Sequence, residues 1–265
     1  MNLTISGLVV CGDSLSAGVG DPAPRAAGRP RQLHGWVHHL VENQPGITLD
    51  ANLARIGATV SHARRRQLPQ AIDHAPDVVI CAIGANDVLS PGFDPAAFAD
   101  DYDALIAALT HAATVGVLTF TLHDVAGGLP LTRRRHATVR ARTARVNEVI
   151  ERVSERHSCW LLDTRTEGTP VQLGMLSVDR LHPNPRGHRY LASRVAESLS
   201  LNGVCPPGEA AVPPPPDPVL RRARHGYAHA TWLARHVVWP RARRRWASRA
   251  GGRTKRKRTE VSETD

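Results

Sequence analysis

Several common features are missing from this sequence of 265 residues. No stretch approaches the roughly 20 consecutive apolar residues that a membrane-spanning helix requires. The first residues contain no basic segment, and the early apolar run is too short to be typical of a secretory signal. No phosphate-binding loop, dinucleotide fingerprint or internal repeat is present. We therefore predict a cytoplasmic protein.

Cysteine is scarce, and neither cysteine nor histidine indicates a disulfide or a metal. The four cysteines show no paired spacing, and we expect them to be reduced thiols: Cys11, Cys81, Cys159 and Cys205. Three of them lie in or beside apolar runs, where cysteine usually behaves as a small buried hydrophobe. The 14 histidines form no recognisable ligand motif with cysteines or carboxylates. The sequence therefore predicts no metal site and no cofactor.

Charge is distributed unevenly along the chain. Residues 201–265 contain 14 of the 34 Lys and Arg residues and five of the 24 Asp and Glu residues, so they carry +9 of the net charge of +10. The rest of the chain is almost neutral, and its 42% hydrophobic content suffices for a sizeable core. We predict a globular domain over residues 1–203, a proline-rich linker over 204–218 and a basic tail over 219–265.

Apolar runs alternate with amphipathic stretches between residues 5 and 200. The runs predict five strands that begin at Ile5, Ile47, Asp77, Gly116 and Trp160. Helices are predicted over residues 35–43, 61–75, 94–113, 132–157 and 184–200, two of which begin with the favourable start signals Asp94-Pro95 and Asn184-Pro185. This alternation predicts an α/β fold with a parallel sheet and helices on both faces.

A candidate nucleophile follows the first predicted strand. The apolar run Leu8–Cys11 leads directly into Gly12, Asp13 and Ser14. We expect a buried strand and then a turn that presents Ser14 at the carboxyl end of the sheet, where open α/β folds bind ligands. A serine in that position can act as a nucleophile if a base reaches it. Asp13 is interpreted as structural, with its side chain bonded to the backbone of the turn.

A candidate base and its orienting carboxylate occur late in the chain. His182 can serve as the base, and Asp179 lies three residues earlier. A single turn would bring the Asp179 carboxylate to one imidazole nitrogen while the other nitrogen faces Ser14. Taken one at a time, these residues are explained equally well by helix caps or surface loops. Their joint occurrence favours acyl transfer to serine.

Donors for an oxyanion can be assigned as well. The backbone N–H groups of Ser14 and Gly57 and the side-chain amide of Asn86 each follow a predicted strand and could converge on one oxygen. Gly57 has no Cβ that would block the close approach of a substrate. His123 follows the fourth strand and is a candidate substrate contact, although a loop histidine is more often structural.

These four segments resemble the motif blocks of the SGNH hydrolases, also called GDSL esterases and lipases: Gly12–Ser16, Gly57, Gly84–Asp87 and Asp179–His182. The resemblance covers about residues 5–200 and is nearest to lysophospholipase-like bacterial esterases. It implies a three-layer α/β/α sandwich of the flavodoxin type with a five-stranded parallel sheet. It also implies a Ser14–His182–Asp179 triad with oxyanion donors at Ser14, Gly57 and Asn86. The implied function is a serine esterase that hydrolyses small acyl esters or lysophospholipid-like esters through an acyl-enzyme.

The basic tail supports an alternative function. Trp232, Trp239 and Trp246 recur every seven residues among arginines, so a helix would place them on one face. Such a face suits the surface of an anionic membrane. It also suits a nucleic-acid backbone, but no nucleic-acid-binding fold accompanies the charge. The tryptophans could equally pack on the protein's own body, and Pro240 disfavours one continuous helix.

The alternative function is therefore tethering to a membrane or another polyanion through residues 219–265, with the hydrolase body secondary. The protein would then be peripheral to the membrane. The sequence does not indicate an oligomeric state.

Overall fold

The structure is a computed structural model that describes residues 5–23, 33–165, 173–206 and 219–233. Its internal contacts divide the chain into two units, residues 1–216 and 217–265. The predicted proline-rich linker lies mostly outside the described residues, since only residues 204–206 of it are described.

The first unit contains one parallel sheet of five strands in the order β2–β1–β3–β4–β5. The strands are β1 (Ile5–Gly12), β2 (Ile47–Asn52), β3 (Val78–Ala82), β4 (Gly116–Phe120) and β5 (Trp160–Leu162). This is the flavodoxin-like strand order, in which the chain reverses its direction of travel across the sheet after β2. It confirms the predicted fold class, and it places the ends of β1 and β3 side by side.

Helices connect the strands. They are α1 (Gly35–Asn43), α2 (Val60–His62), α3 (Leu68–Asp73), α4 (Ala85–Leu89), α5 (Pro95–Ala112), α6 (Arg133–Arg156) and α7 (Pro185–Leu201), with a π-helical segment at Ala63–Gln67 and a 3₁₀ turn at Leu173–Met175. The predicted starts of α5 and α7 are confirmed, because Asp94 and Asn184 each accept two backbone N–H groups of the first turn. The helix predicted over 61–75 is interrupted by the π-helical segment, and α4 was not predicted.

The sheet is covered by helices on both faces. Along β1, Val9 and Cys11 belong to one hydrophobic core that also contains residues of α5 and α6. Leu8 and Val10 belong to a second core with residues of α1 and α7. A strand buried on both faces needs apolar residues at every position, which explains why β1 reads as a continuous apolar run.

All four cysteines are free thiols, as predicted. Cys11, Cys81 and Cys205 are buried. Burial raises the pKa of the Cys11 thiol to about 12, so this cysteine stays protonated at neutral pH and acts as a core residue.

The second unit contains one described helix, α8 (Val219–Leu233). It carries Arg221, Arg222 and Arg224 and no acidic residue. Of the three regularly spaced tryptophans, Trp232 lies in α8, whereas Trp239 and Trp246 lie outside the described residues. Among the residues that the structure describes, no helix has both the length and the apolar character needed to cross a bilayer.

Candidate active site

The turn after β1 presents Ser14. Gly12 ends the strand, and a Cβ at this position would lie 2.7 Å from Ser16 Oγ and 2.8 Å from the Ala82 carbonyl oxygen. Only glycine therefore allows β1 to pass so close to the following turn. The Asp13 carboxylate accepts a hydrogen bond from the Leu15 N–H at 3.0 Å, the backbone bond that the sequence predicted for this residue.

Gln67 holds the turn from the other side. Its Oε1 accepts from the Gly12 N–H and its Nε2 donates to the Gly12 carbonyl, both at 2.8 Å. The side chain is buried, at 1% exposure, and it lies at the end of the π-helical segment. Sequence reasoning missed Gln67, because a glutamine in an arginine-rich helix shows no pattern that would pair it with a backbone 55 residues earlier.

Ser14, His182 and Asp179 form a continuous chain of hydrogen bonds. Ser14 Oγ lies 2.8 Å from His182 Nε2, and His182 Nδ1 lies 2.7 Å from Asp179 Oδ2. The other carboxylate oxygen of Asp179 accepts from the backbone N–H groups of Leu181 and His182, at 3.0 and 3.1 Å. The structure thus brings together the three residues proposed from the sequence, although Ser14 and His182 are 168 residues apart.

The environment of Asp179 favours its ionised form. Burial of the carboxylate opposes ionisation, but the hydrogen bonds from the His182 ring and from the two backbone N–H groups outweigh it and lower the pKa of Asp179. An ionised carboxylate at Nδ1 holds the proton on that nitrogen and leaves Nε2 free to accept one from serine.

The loop that carries Asp179 and His182 is held by its own backbone. The Ser177 N–H donates to the His182 carbonyl at 2.7 Å, and Leu176 pairs with Pro183 in an antiparallel bridge. Arg180, at the tip, adopts a left-handed conformation with φ of 57°. These backbone contacts hold the His182 imidazole in place just before α7 begins.

The candidate oxyanion donors are placed differently from one another. Asn86, near the start of α4, lines the cavity beside Ser14. Its Nδ2 donates to the Ala58 carbonyl at 2.9 Å and lies 3.4 Å from Asp13 Oδ2. Gly57 precedes Ala58, has a φ of 80° and faces open space, but it is not among the described residues that line this cavity. Asn86 and Gly57 are therefore linked through Ala58.

Two buried carboxylates adjoin this region. Burial raises the pKa of Asp13 to about 6, against the opposing effects of the Leu15 hydrogen bond and the His182 charge. Burial likewise raises the pKa of Asp87 to about 6, although its carboxylate accepts the Val60 N–H. Asp87 joins α2 to α4 and thereby supports the segment that carries Asn86.

A cavity of about 60 Å³ lies beside Ser14 and His182. Most of its wall is apolar and includes Ile83, Leu89, Phe120, Leu122 and Leu191. His123 also lines it, as the sequence suggested. Burial lowers the pKa of His123 to about 4, so this side chain is neutral at neutral pH and can donate or accept a hydrogen bond without adding charge.

Metal-ligand side chains cluster elsewhere in the same unit, where the sequence predicted none. Asp21, His34 and His39 place their ligand atoms within 4.8 Å of one another, and His34, His38 and Glu42 form a second such group. Among the described residues, neither group includes a member of the Ser14–His182–Asp179 chain.

A parallel α/β sheet with hydrogen-bonded serine, histidine and aspartate at its carboxyl edge is an arrangement of serine hydrolases. The model of the GDSL-like lipase/acylhydrolase family matches residues 10–190. This match covers well over half of the chain, and the protein therefore belongs to that family and is a carboxylic ester hydrolase. No curated protein sequence shows significant similarity to it.

Several solved structures share the fold. LAE5, an alpha/beta hydrolase enzyme from the metagenome of Lake Arreo, Spain, is 24% identical with a TM-score of 0.57, over 77% of this chain and 98% of LAE5. A catalytic mutant of Axe2, an acetylxylan esterase from Geobacillus stearothermophilus, is 20% identical with a TM-score of 0.58, over 75% of this chain and 96% of Axe2. The lipase/acylhydrolase from Enterococcus faecalis is 20% identical with a TM-score of 0.57, over 77% of this chain and all of that protein. At these identities the similarity is one of fold.

Proposed function

We propose that this protein hydrolyses carboxylic esters through Ser14 as nucleophile and an acyl-enzyme intermediate. The proposal rests chiefly on the hydrogen-bond chain from Ser14 Oγ through His182 to Asp179, with distances of 2.8 and 2.7 Å. The distance between Ser14 Oγ and His182 Nε2 is within the range required for proton transfer, and the distance between His182 Nδ1 and Asp179 Oδ2 is that of a hydrogen bond that orients the imidazole.

The proposed reaction has two halves. Ser14 Oγ attacks the ester carbonyl while its proton passes to His182 Nε2, and the leaving alkoxide then takes that proton as the carbonyl–oxygen bond breaks. Asp179 holds the His182 tautomer and stabilises the imidazolium. A water molecule next attacks the acyl-enzyme, gives its proton to His182 and releases the acid, and Ser14 recovers its hydroxyl proton.

The developing oxyanion would be held by the N–H groups of Ser14 and Gly57 and by Asn86 Nδ2. One such donor typically lowers the barrier by about 3 kcal/mol. The second N–H of the Asn86 amide is available for this purpose, because its distance of 3.4 Å to Asp13 makes that contact the weaker of its two. The open space around Gly57 leaves room for a substrate to approach.

The size of the cavity favours substrates with small acyl groups over substrates with long acyl chains. Its volume of about 60 Å³ is well below the ~150 Å³ of a protein cavity that holds benzene. An acetyl or propionyl group fits such a space, whereas a fatty acyl chain would extend beyond it. The fold similarity to Axe2, an acetylxylan esterase, is consistent with a short acyl group. His123 would then hydrogen-bond to the substrate as a neutral side chain.

Labelling with a fluorophosphonate tests the nucleophile directly. Peptide mapping of the labelled protein should place the probe on Ser14, and the Ser14→Ala variant should neither react nor hydrolyse p-nitrophenyl acetate. Ser16→Ala is the matched control, because Ser16 is a fully buried serine two residues away and should be dispensable for labelling. Label on another residue, or full activity of Ser14→Ala, would contradict the assignment.

We propose contact between the basic segment and anionic membranes as a second candidate function. The favourable observation is that residues 219–233 form a helix with three arginines near its start and no acidic residue. Full-length protein should sediment with vesicles that contain phosphatidylserine and not with neutral vesicles. Glutamine at positions 221, 222 and 224 should reduce that binding and leave ester hydrolysis unchanged. Equal binding to both kinds of vesicle would contradict this candidate.

A further inference from the structure

Five potential metal ligands converge where α1 meets the chain that follows the Ser14 turn. We call them the α1 cluster: Asp21, His34, His38, His39 and Glu42. Four of them are spread along α1, from its N-cap residue His34 to its second-last residue Glu42. His34 and His38 are four residues apart and therefore on one helix face. Asp21 comes from the preceding segment, so the cluster joins two parts of the chain.

The backbone holds the two parts together. The His34 N–H donates to the Asp21 carbonyl at 2.9 Å, and Pro22 pairs with Leu33 in an antiparallel bridge. Asp21 Oδ2 lies 2.7 Å from His39 Nε2, and the exposure of these side chains is 7% and 11%. Side chains that are already confined and partly dehydrated lose little further freedom when they bind an ion.

The ligand atoms are spaced closely enough for one ion. Asp21, His34 and His39 each offer an atom within 4.8 Å of the other two. In a tetrahedral site with metal–ligand bonds of about 2.0–2.1 Å, ligand atoms lie about 3.4 Å apart. Small side-chain rotations lead from the observed spacing to that geometry, with the Asp21–His39 pair opening and His34 moving inward.

The surroundings of the three side chains also suit a metal. A histidine that binds a metal usually directs its other ring nitrogen at a carboxylate, which orients the ring and raises its basicity. Here His39 Nδ1 lies 3.7 Å from Glu42 Oε2, while Nε2 faces Asp21. The ring of His38 stacks on that of His34 at 4.7 Å between centroids, and its ligand atoms group with those of His34 and Glu42.

We propose that Asp21, His34 and His39 bind one divalent transition-metal ion of the Zn²⁺ type, with Glu42 orienting His39. Two imidazoles and one carboxylate are a donor set that suits Zn²⁺, Co²⁺ or Ni²⁺ and disfavours Mg²⁺. The proposal departs from the expectation of no metal site, because the ligands come from two segments that no single sequence motif spans. It does not depend on the proposed ester hydrolysis.

The ion would have a structural role next to the nucleophile turn. The Asp21 N–H donates to the Gly18 carbonyl at 3.1 Å, and the Val19 N–H donates to the Ser14 carbonyl at 3.0 Å. His188, in α7, donates through Nε2 to the Val19 carbonyl at 3.0 Å. An ion on Asp21 would therefore link α1 to the segment after Ser14, which is itself hydrogen-bonded to α7. The ion would take no part in the hydrolysis of the ester.

Zn²⁺ titration of the tag-free, chelator-treated full-length protein tests the site. Calorimetry should show one ion bound per chain with a dissociation constant in the micromolar range or below, and Mg²⁺ should give no such signal. His34→Ala should weaken Zn²⁺ binding at least about tenfold, and Glu42→Gln by about tenfold to a hundredfold. His111→Ala is the control, since His111 is an exposed helical histidine outside the cluster, and its Zn²⁺ affinity should equal that of the wild type.

Two further readouts separate a defined site from loose surface binding. Co²⁺ should produce the intense visible absorption of a low-symmetry, four-coordinate site in the wild type and lose it in His34→Ala. Zn²⁺ should raise the melting temperature of the wild type and of His111→Ala, and not that of His34→Ala. An absence of Zn²⁺ binding by the wild type, or an unchanged affinity of His34→Ala, would overturn the proposal.

Discussion

Two histidine–aspartate pairs in this protein share a hydrogen-bond length of 2.7 Å and differ in what lies around them. In the pair His182–Asp179, the second ring nitrogen meets the hydroxyl of Ser14 at 2.8 Å. In the pair His39–Asp21, the second nitrogen faces Glu42 at 3.7 Å. The two pairs therefore differ in the group that meets the second ring nitrogen, a hydroxyl in one pair and a carboxylate in the other.

The two pairs also differ in burial. The side chains of His182 and Asp179 are 17% and 21% exposed, whereas those of His39 and Asp21 are 11% and 7% exposed. The first pair opens onto a cavity with apolar walls, where a substrate can displace water. The second pair joins a helix to the preceding segment, and its expected contribution is to stability.

Replacing the aspartate of each pair should give the largest difference between the two pairs in kcat. Asp179→Asn should lower kcat for p-nitrophenyl acetate by a factor on the order of 10⁴, because the amide no longer holds the productive His182 tautomer. Asp21→Asn, assayed in chelator, should change kcat only a few-fold and should lower the melting temperature. Similar losses of activity in both variants would contradict the distinction drawn here.

Removal of a proposed oxyanion donor should have the next largest effect, since Asn86 lines the cavity beside Ser14 and His182. Asn86→Ala should lower kcat by about 10²–10³ with little change in KM, because the Asn86 amide would act mainly on the transition state. Asn52→Ala is a useful control, because Asn52 donates to the Ser16 carbonyl of the same turn and is not among the described residues that line the cavity. A rise in KM with kcat unchanged would instead indicate that Asn86 contacts the substrate in its ground state.

A pH series of unfolding measurements should test the ionisation of Asp13, a buried carboxylate whose pKa is also affected by the His182 charge. Its pKa of about 6 in the folded protein exceeds the ordinary value of about 3.9, so the folded state binds the proton more tightly than the unfolded state. Ionisation of Asp13 therefore lowers the free energy of unfolding as pH rises from about 4 to about 6.

Asp13→Asn should remove this loss while an amide oxygen still accepts the Leu15 N–H. The stability of the variant relative to the wild type should accordingly increase by up to about 3 kcal/mol between pH 4 and pH 7. Chemical denaturation at several pH values measures the difference. A constant difference across this range would show that Asp13 titrates normally in the folded protein.

The smallest effect is expected from acyl chain length, which tests the size of the cavity beside Ser14 and His182. From p-nitrophenyl acetate to the octanoate, kcat/KM should fall at least about tenfold, because a cavity of about 60 Å³ does not accept the longer chain. Leu89→Ala should enlarge the cavity from a partly exposed position on its wall and reduce that preference. Faster hydrolysis of the octanoate by the wild type would contradict a small acyl pocket.

Local pattern was sufficient to predict much of this architecture. The strands and most helices could be located because apolar periodicity and caps such as Asp94 and Asn184 act over a few residues. The turn at Gly12–Ser14 could be recognised only together with the segments at Gly57, Gly84–Asp87 and Asp179–His182, because Gly-Asp-Ser after a buried strand is equally typical of a helix cap. The π-helical interruption at Ala63–Gln67 could not be predicted, since it does not alter the spacing of apolar residues along the chain.

The sequence by itself determined the order of the elements, the parallel sheet and the candidate residues Ser14, Asp179 and His182, because each depends on short-range chemistry along the chain. The meeting of Ser14 with His182 across 168 residues was implied by the resemblance to a family and not by local spacing. The tertiary structure alone decided that Gln67 meets Gly12 across 55 residues and that Asp21 meets His39 across a segment boundary. Such pairings result from the packing of whole helices against the sheet, and no local spacing encodes them.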